Sequence, residues 1–117
     1  MPVLANVFVA FVAFLHVGFL VLEMFLWTKP TGRRIFGLTR ELAEASKALA
    51  MNQGLYNGFL AAGLVWGIVA GSFDVKVFFL ACVIIAGIFG ALTAKRSILF
   101  VQGLPAAIAL ALVLVAR

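Results

Sequence analysis

Acidic side chains are almost missing from this chain. Glu23, Glu41, Glu44 and Asp74 are the whole set, against nine Lys and Arg. Charged residues of both signs fill only 11% of the 117 positions, under half of the ~25% usual in soluble domains. An ordinary water-soluble domain is excluded on that ground. Cysteine occurs once, at Cys82, so an internal disulfide is excluded. Lying mid-span, Cys82 reads as a small apolar packing group. The lone histidine, His16, has no usable cysteine near it. One imidazole and one glutamate fall short of the three protein ligands a metal centre usually needs, so neither metal nor other cofactor is expected. No serine or cysteine sits beside His16 to serve as nucleophile, and no glycine-rich motif follows a strand as nucleotide binding requires.

What the chain has is long apolar runs. Residues 1–27, 48–71, 75–94 and 98–116 each meet the ~20 residues a helix needs to cross hydrocarbon. The expected fold is all-α: an integral membrane four-helix bundle, one domain over 1–117, with helices near 3–27, 40–71, 75–94 and 98–116. Its loops are short except for a longer basic one between the first two helices. The first run lacks a basic leader and a small-residue cleavage site, so it reads as a retained helix rather than a signal peptide.

The net charge of +5 is unevenly placed. Lys29, Arg33, Arg34, Arg40 and Lys47 lie between the first two spans, and Lys95 and Arg96 between the last two. The other face holds only Asp74, Lys76, the amine of Met1 and Arg117 with the terminal carboxylate. This positive-inside pattern predicts a multi-pass protein of the cytoplasmic (inner) membrane with both termini outside. The basic loops suit anionic lipid headgroups, so membrane lipids are expected partners and nucleic acid is not.

Breaker chemistry at Thr28–Gly32 ends the first helix, Thr39 is placed to cap the second, and Gly71–Asp74 and Thr93–Ser97 make short turns. Glycines recur at Gly54 and Gly58, at Gly63 and Gly67, at Gly87 and Gly90, and at Gly103. Such ridges let helix backbones approach inside a bundle, or equally support a homodimer.

The polar residues inside the runs fall at matching depths. His16 and Glu23 lie in the first, Asn52, Gln53, Tyr56 and Asn57 in the second, and Gln102 in the fourth. Seven residues turn a helix by about 700°, so His16 and Glu23 share a stripe to within roughly 20°. Asn52 pairs in spacing with Tyr56, and Gln53 with Asn57. Pro105 removes a helix hydrogen bond one turn beyond Gln102 and predicts a local bend there. All seven side chains fall in the cytoplasmic half, which predicts one pocket opening toward the cytoplasm. Each has a structural reading as interhelical glue, but an acid, an imidazole, amides and a phenol at one level point to a working site.

Several runs together resemble a known family. They are His16 with Leu22-Glu23-Met24-Phe25-Leu26-Trp27-Thr28, then Phe36-Gly37-Leu38-Thr39, the stretch Asn52-Gln53-Gly54-Leu55-Tyr56-Asn57-Gly58-Phe59-Leu60-Ala61-Ala62-Gly63, and Gln102-Gly103 with Pro105. The chain is similar, over nearly all of its length, to the bacterial domain-of-unknown-function 1304 family of small integral membrane proteins. Leu104 separates Gly103 from Pro105 here. The resemblance implies a four-helix membrane protein and carries no established activity.

The leading expectation is a small-solute binder or carrier with proton coupling. Glu23 is its protonatable group and His16 its proton partner, while Asn52, Gln53, Tyr56, Asn57 and Gln102 orient the ligand. The alternatives are a membrane-embedded acid/base enzyme, such as an isomerase, acting on a lipid-like substrate, and a non-catalytic accessory subunit.

Overall fold

The computed structural model describes residues 2–117 and has no strand among them. Met1, whose amine was expected on the outer face, lies outside the described residues. Three long helices, α1 (Pro2–Met24), α3 (Arg40–Ala70) and α4 (Phe73–Thr93), carry most of the chain. A short α2 (Pro30–Phe36) joins α1 to α3, and a π-helical segment, Leu99–Gly103, runs into α5 (Leu104–Ala116). Helices α1, α3 and α4 and the continuous stretch Leu99–Ala116 are each long and apolar enough to cross a membrane. The all-α, four-span architecture expected from composition is therefore the one found.

Differences from expectation sit at helix ends. α1 stops at Met24, three residues early, because the Leu26 N–H reaches back five residues to the Val21 carbonyl (3.2 Å) and the Lys29 N–H turns onto Leu26 O (3.0 Å). The breaker cluster then contains a helix rather than only a turn. Pro30 opens α2, where its missing N–H costs nothing. Gly37 closes it at φ 65°, with the Leu38 N–H on Arg33 O at 2.8 Å, a Schellman cap. Thr39 caps α3 as expected: its hydroxyl accepts from the Leu42 N–H at 3.1 Å.

Gly71 repeats the device at the far end of α3, at φ 61°, with the Ser72 N–H on Gly67 O at 3.0 Å. Ser72 then accepts from the Val75 N–H (3.2 Å), so α4 begins at Phe73, two residues ahead of the expected start. In the last span Pro105 has no N–H to offer the carbonyl four residues before it. The chain answers with the wider π register, in which the Leu104 N–H donates to Leu99 O.

The helices group into two compact units. The first takes the chain up to Leu15 and Leu60–Arg117. Its core is Val9, Val12, Leu64, Leu80, Val83, Ala106, Ala109 and Val113, all buried. A Cβ on Gly87 would lie 2.9 Å from both the Cα and N of Gly103, so α4 meets the π-helical segment backbone to backbone. A Cβ on Gly63 would enter the Phe79 ring at 2.4 Å. With hydrocarbon outside as well as in, such close packing supplies the attraction that water exclusion supplies in soluble proteins.

The second unit is His16–Phe59, holding the end of α1, all of α2 and the first half of α3. The Trp27 indole N–H donates to Ser46 Oγ at 3.0 Å, and the Ser46 hydroxyl donates to Leu42 O at 2.7 Å. The Trp27 and Phe36 rings meet at 4.8 Å. Trp27 thus ties α2 and α3 to the end of α1. A Cβ on Gly32 would fall 1.8 Å from Leu26 O, so α2 presses directly on the chain leaving α1.

Two substitutions separate packing from propensity. Gly87→Val drives a side chain into the Gly103 backbone and is expected to cost about 1–3 kcal/mol in thermal unfolding in detergent. Gly18 has nothing within 4 Å of a Cβ placed there. Gly18→Ala is expected to be neutral or to stabilise by up to about 1 kcal/mol through helix propensity.

Candidate functional site

Burial on α1 and α3 follows one stripe per helix. On α1 the residues Ala5, Val9, Val12 and His16 are buried, and Leu20 and Glu23 continue the same line half-buried. On α3 the buried line is Ala43, Ala50, Gly54, Asn57, Ala61 and Leu64. Steps of three, four and seven keep each set on one face of its helix. Two fully polar side chains therefore occupy positions where the pattern calls for apolar ones: His16 at 0% exposure and Asn57 at 5%.

Asn57 meets Glu23. Its Nδ2–H donates to Glu23 Oε1 across the α1–α3 contact of the second unit. Glycine makes this reach possible. A Cβ on Gly54 would lie 2.5 Å from Met24 Cγ and 3.3 Å from Glu23 Cβ and from Leu20 O. One on Gly58 would lie 2.8 Å from Leu20 Cδ1. These two glycines flank Asn57 and bring the α3 backbone close enough for a short carboxamide to span the gap. A carboxamide donates through its N–H to a carboxylate and accepts through its oxygen from a carboxylic acid. The pair can therefore accommodate Glu23 in either protonation state.

His16 lies two turns before Glu23 on the same stripe, its ring edge-on to Phe19 with centroids 5.2 Å apart. The other residues singled out from sequence are placed differently. Asn52, Gln53 and Tyr56 are exposed on α3, Tyr56 turning its ring edge toward Phe59 at 5.9 Å. Gln102 is half-buried in the π-helical segment and belongs to the first unit. Depth along the helix grouped the α3 residues, whereas direction around it divides them. Asn52 stands about 140° from Asn57 and Tyr56 about 100°. Only Asn57 continues the small-residue line of Ala50 and Gly54.

Two polar contacts escaped the sequence reading. Ser46, which receives the Trp27 indole, carries no signal beyond its place one turn after Leu42. Asn6 accepts from Lys76 Nζ at 2.7 Å in the first unit. It is an amide inside an apolar run, the same mark that pointed to Asn57. Among the described residues no three His, Cys, Asp or Glu side chains come together as a metal would need.

Asn57→Leu strands the Glu23 carboxyl without its donor and is expected to lower stability in detergent by about 1–3 kcal/mol. Glu23→Leu combined with Asn57→Leu is expected to recover part of that loss. Strictly additive single-mutant effects, measured by thermal unfolding, would show that the two side chains do not interact.

Comparison with known proteins places the chain in a family. The protein is 33% identical over 86 residues to the uncharacterized protein YpaA of Lactococcus lactis subsp. lactis (strain IL1403), an overlap covering 70% of this chain and 72% of that one. No solved structure matches it. The family model described as protein of unknown function (DUF1304) matches residues 10–114. His16, Glu23, Asn57, the whole of α3 and α1 from Ala10 onward fall inside that match, and the chain belongs to the DUF1304 family.

Proposed function

We propose that this is a multi-pass protein of the cytoplasmic membrane, both termini outside, that binds or carries a small solute with proton coupling through Glu23. The single observation behind this reading is the Glu23–Asn57 contact between glycine-thinned helices. An ionisable residue within a membrane-spanning helix is costly to keep and is by default a functional group. The seven basic residues of the two connections and of the first turns of α3 support the topology. With that orientation Glu23 lies in the cytoplasmic half.

The mechanism follows from the fit of the two helices. Gly54 and Gly58 leave no room beside Leu20 and Met24, so a solute reaches the Asn57-facing side of the half-buried Glu23 only as α1 and α3 part. Parting them breaks the Asn57 hydrogen bond and leaves the carboxyl to be matched by the solute, by a proton or by both. Exchange of proton for solute at one carboxyl is the simplest coupling such a contact supports. His16, on the same stripe, is the proton partner, and the exposed Gln53, about 40° around α3 from Asn57, is the amide nearest the approach from the cytoplasmic half.

Glu23→Gln keeps the shape and an amide partner for Asn57 but cannot release a proton. Proteoliposomes loaded with a pH-reporting dye and offered cationic, neutral and anionic small organic solutes provide the test. Wild-type protein is expected to couple at least one class to a lumenal pH change, and Glu23→Gln to abolish it. Equal responses from the two proteins, or no response beyond that of empty liposomes, would sink the reading.

A further inference from the structure

The first unit contains a cleft of about 140 Å³ at the end remote from the basic loops, many times the ~10–15 Å³ that one water needs. It lies where the start of α1, the turn after α3, the start of α4 and the end of α5 come together. Those are the ends of the membrane-crossing segments, so the cleft sits at a membrane–water boundary whichever side faces out. Lys76 and Arg117 line it, together with Phe73, Ala5, Val113 and Ala116. No Asp or Glu is among its described lining, although Asp74 lies in the same first turn of α4 as Phe73 and Lys76.

Both cations are held in place with donors to spare. Lys76 Nζ gives one hydrogen bond to Asn6 Oδ1 at 2.7 Å, and an ammonium has three to give. Its stem is seated by Gly67, where a Cβ would lie 2.8 Å from Lys76 Cγ and 3.2 Å from its backbone N. The Arg117 guanidinium lies over the Phe73 ring, 4.3 Å from the centroid. Stacking uses the face of the guanidinium and leaves the N–H groups along its edge for an oxyanion. Ala5, Val113 and Ala116 form an apolar wall beside the two charges.

We propose that this cleft binds the phosphate of an anionic membrane lipid, with Lys76 and Arg117 as its two cationic partners. The charges recognise the phosphodiester, and the apolar wall takes the glycerol and first methylenes of the lipid. Free phosphate shares the charge chemistry but has nothing to place on that wall.

Native mass spectrometry of the purified protein in neutral detergent tests this, with phosphatidylglycerol, phosphatidylcholine or inorganic phosphate added separately. The expected result is one tightly retained phosphatidylglycerol per chain, phosphatidylcholine at least about tenfold weaker, and no retained phosphate. Lys76→Gln and Arg117→Gln should each weaken phosphatidylglycerol about tenfold, the scale of one charge-assisted hydrogen bond. Gly67→Ala, which unseats the Lys76 stem, should weaken it as well. Lys29→Gln with Arg34→Gln, at the other end of the spans, should leave it unchanged. Undiminished retention in the Lys76 and Arg117 variants, or equal retention of the two lipids, overturns the proposal. Phosphate binding as tight as phosphatidylglycerol overturns the lipid and leaves a free oxyanion site. Should a double Lys76/Arg117 variant fail to fold, the two single variants carry the same test.

Discussion

Hydrocarbon offers no hydrogen bonds, so a carboxyl placed at Glu23 obliges another protein group to come to it. That obligation shapes the second unit. The partner is Asn57, whose side chain is two bonds shorter than a lysine's and three shorter than an arginine's, and the α3 backbone must therefore approach α1 closely. Gly54 and Gly58 allow the approach, and Leu20 and Met24 fill the room that absent side chains leave. Polar pairing and close packing are one arrangement here, and neither stands without the other. A change that widened the contact would also cost the carboxyl its donor.

The same use of small residues recurs with a different result in the first unit. Gly87 and Gly103 bring α4 against the π-helical segment with no polar group between them, and Gly63 receives the Phe79 ring. There the glycines serve packing alone. Gly67 serves position: it seats the Lys76 stem and so aims its ammonium at Asn6. The glycine ridges, which from sequence fitted an internal contact or a homodimer equally, thus have neighbours within the chain at Gly54, Gly58, Gly63, Gly67, Gly87, Gly90 and Gly103.

Much of the architecture was legible in the sequence because its causes are local. Apolar length marks the four spans, Thr39 marks the start of α3, and Gly71 marks its end. The short α2 was not legible, since seven residues give too little periodicity and Pro30 and Gly37 read as turn chemistry before they read as helix brackets. Pro105 signalled an irregularity, and the form it took, a π register with its Gly103 against Gly87, has no sequence mark of its own. At the site, seven-residue spacing put His16 and Glu23 on one stripe correctly. Depth could not sort the α3 residues, because Asn52 and Tyr56 share a level with Asn57 yet stand about 140° and 100° from it, and Gln53, about 40° away, is exposed. The line Ala50–Gly54–Asn57–Ala61, small residues on one face, held the information that depth lacked.

The second unit depends on Glu23 and Asn57 touching across α1 and α3. Solid-state NMR of the protein in lipid, with ¹³C-glutamate and ¹⁵N-asparagine, measures that contact directly. Of three glutamates and three asparagines in the chain, a through-space peak between a carboxyl carbon and a side-chain amide nitrogen is expected for Glu23 and Asn57, and it should vanish in Asn57→Leu. A spectrum without that peak, in which the Glu23 carboxyl exchanges freely with bulk water, would contradict the account.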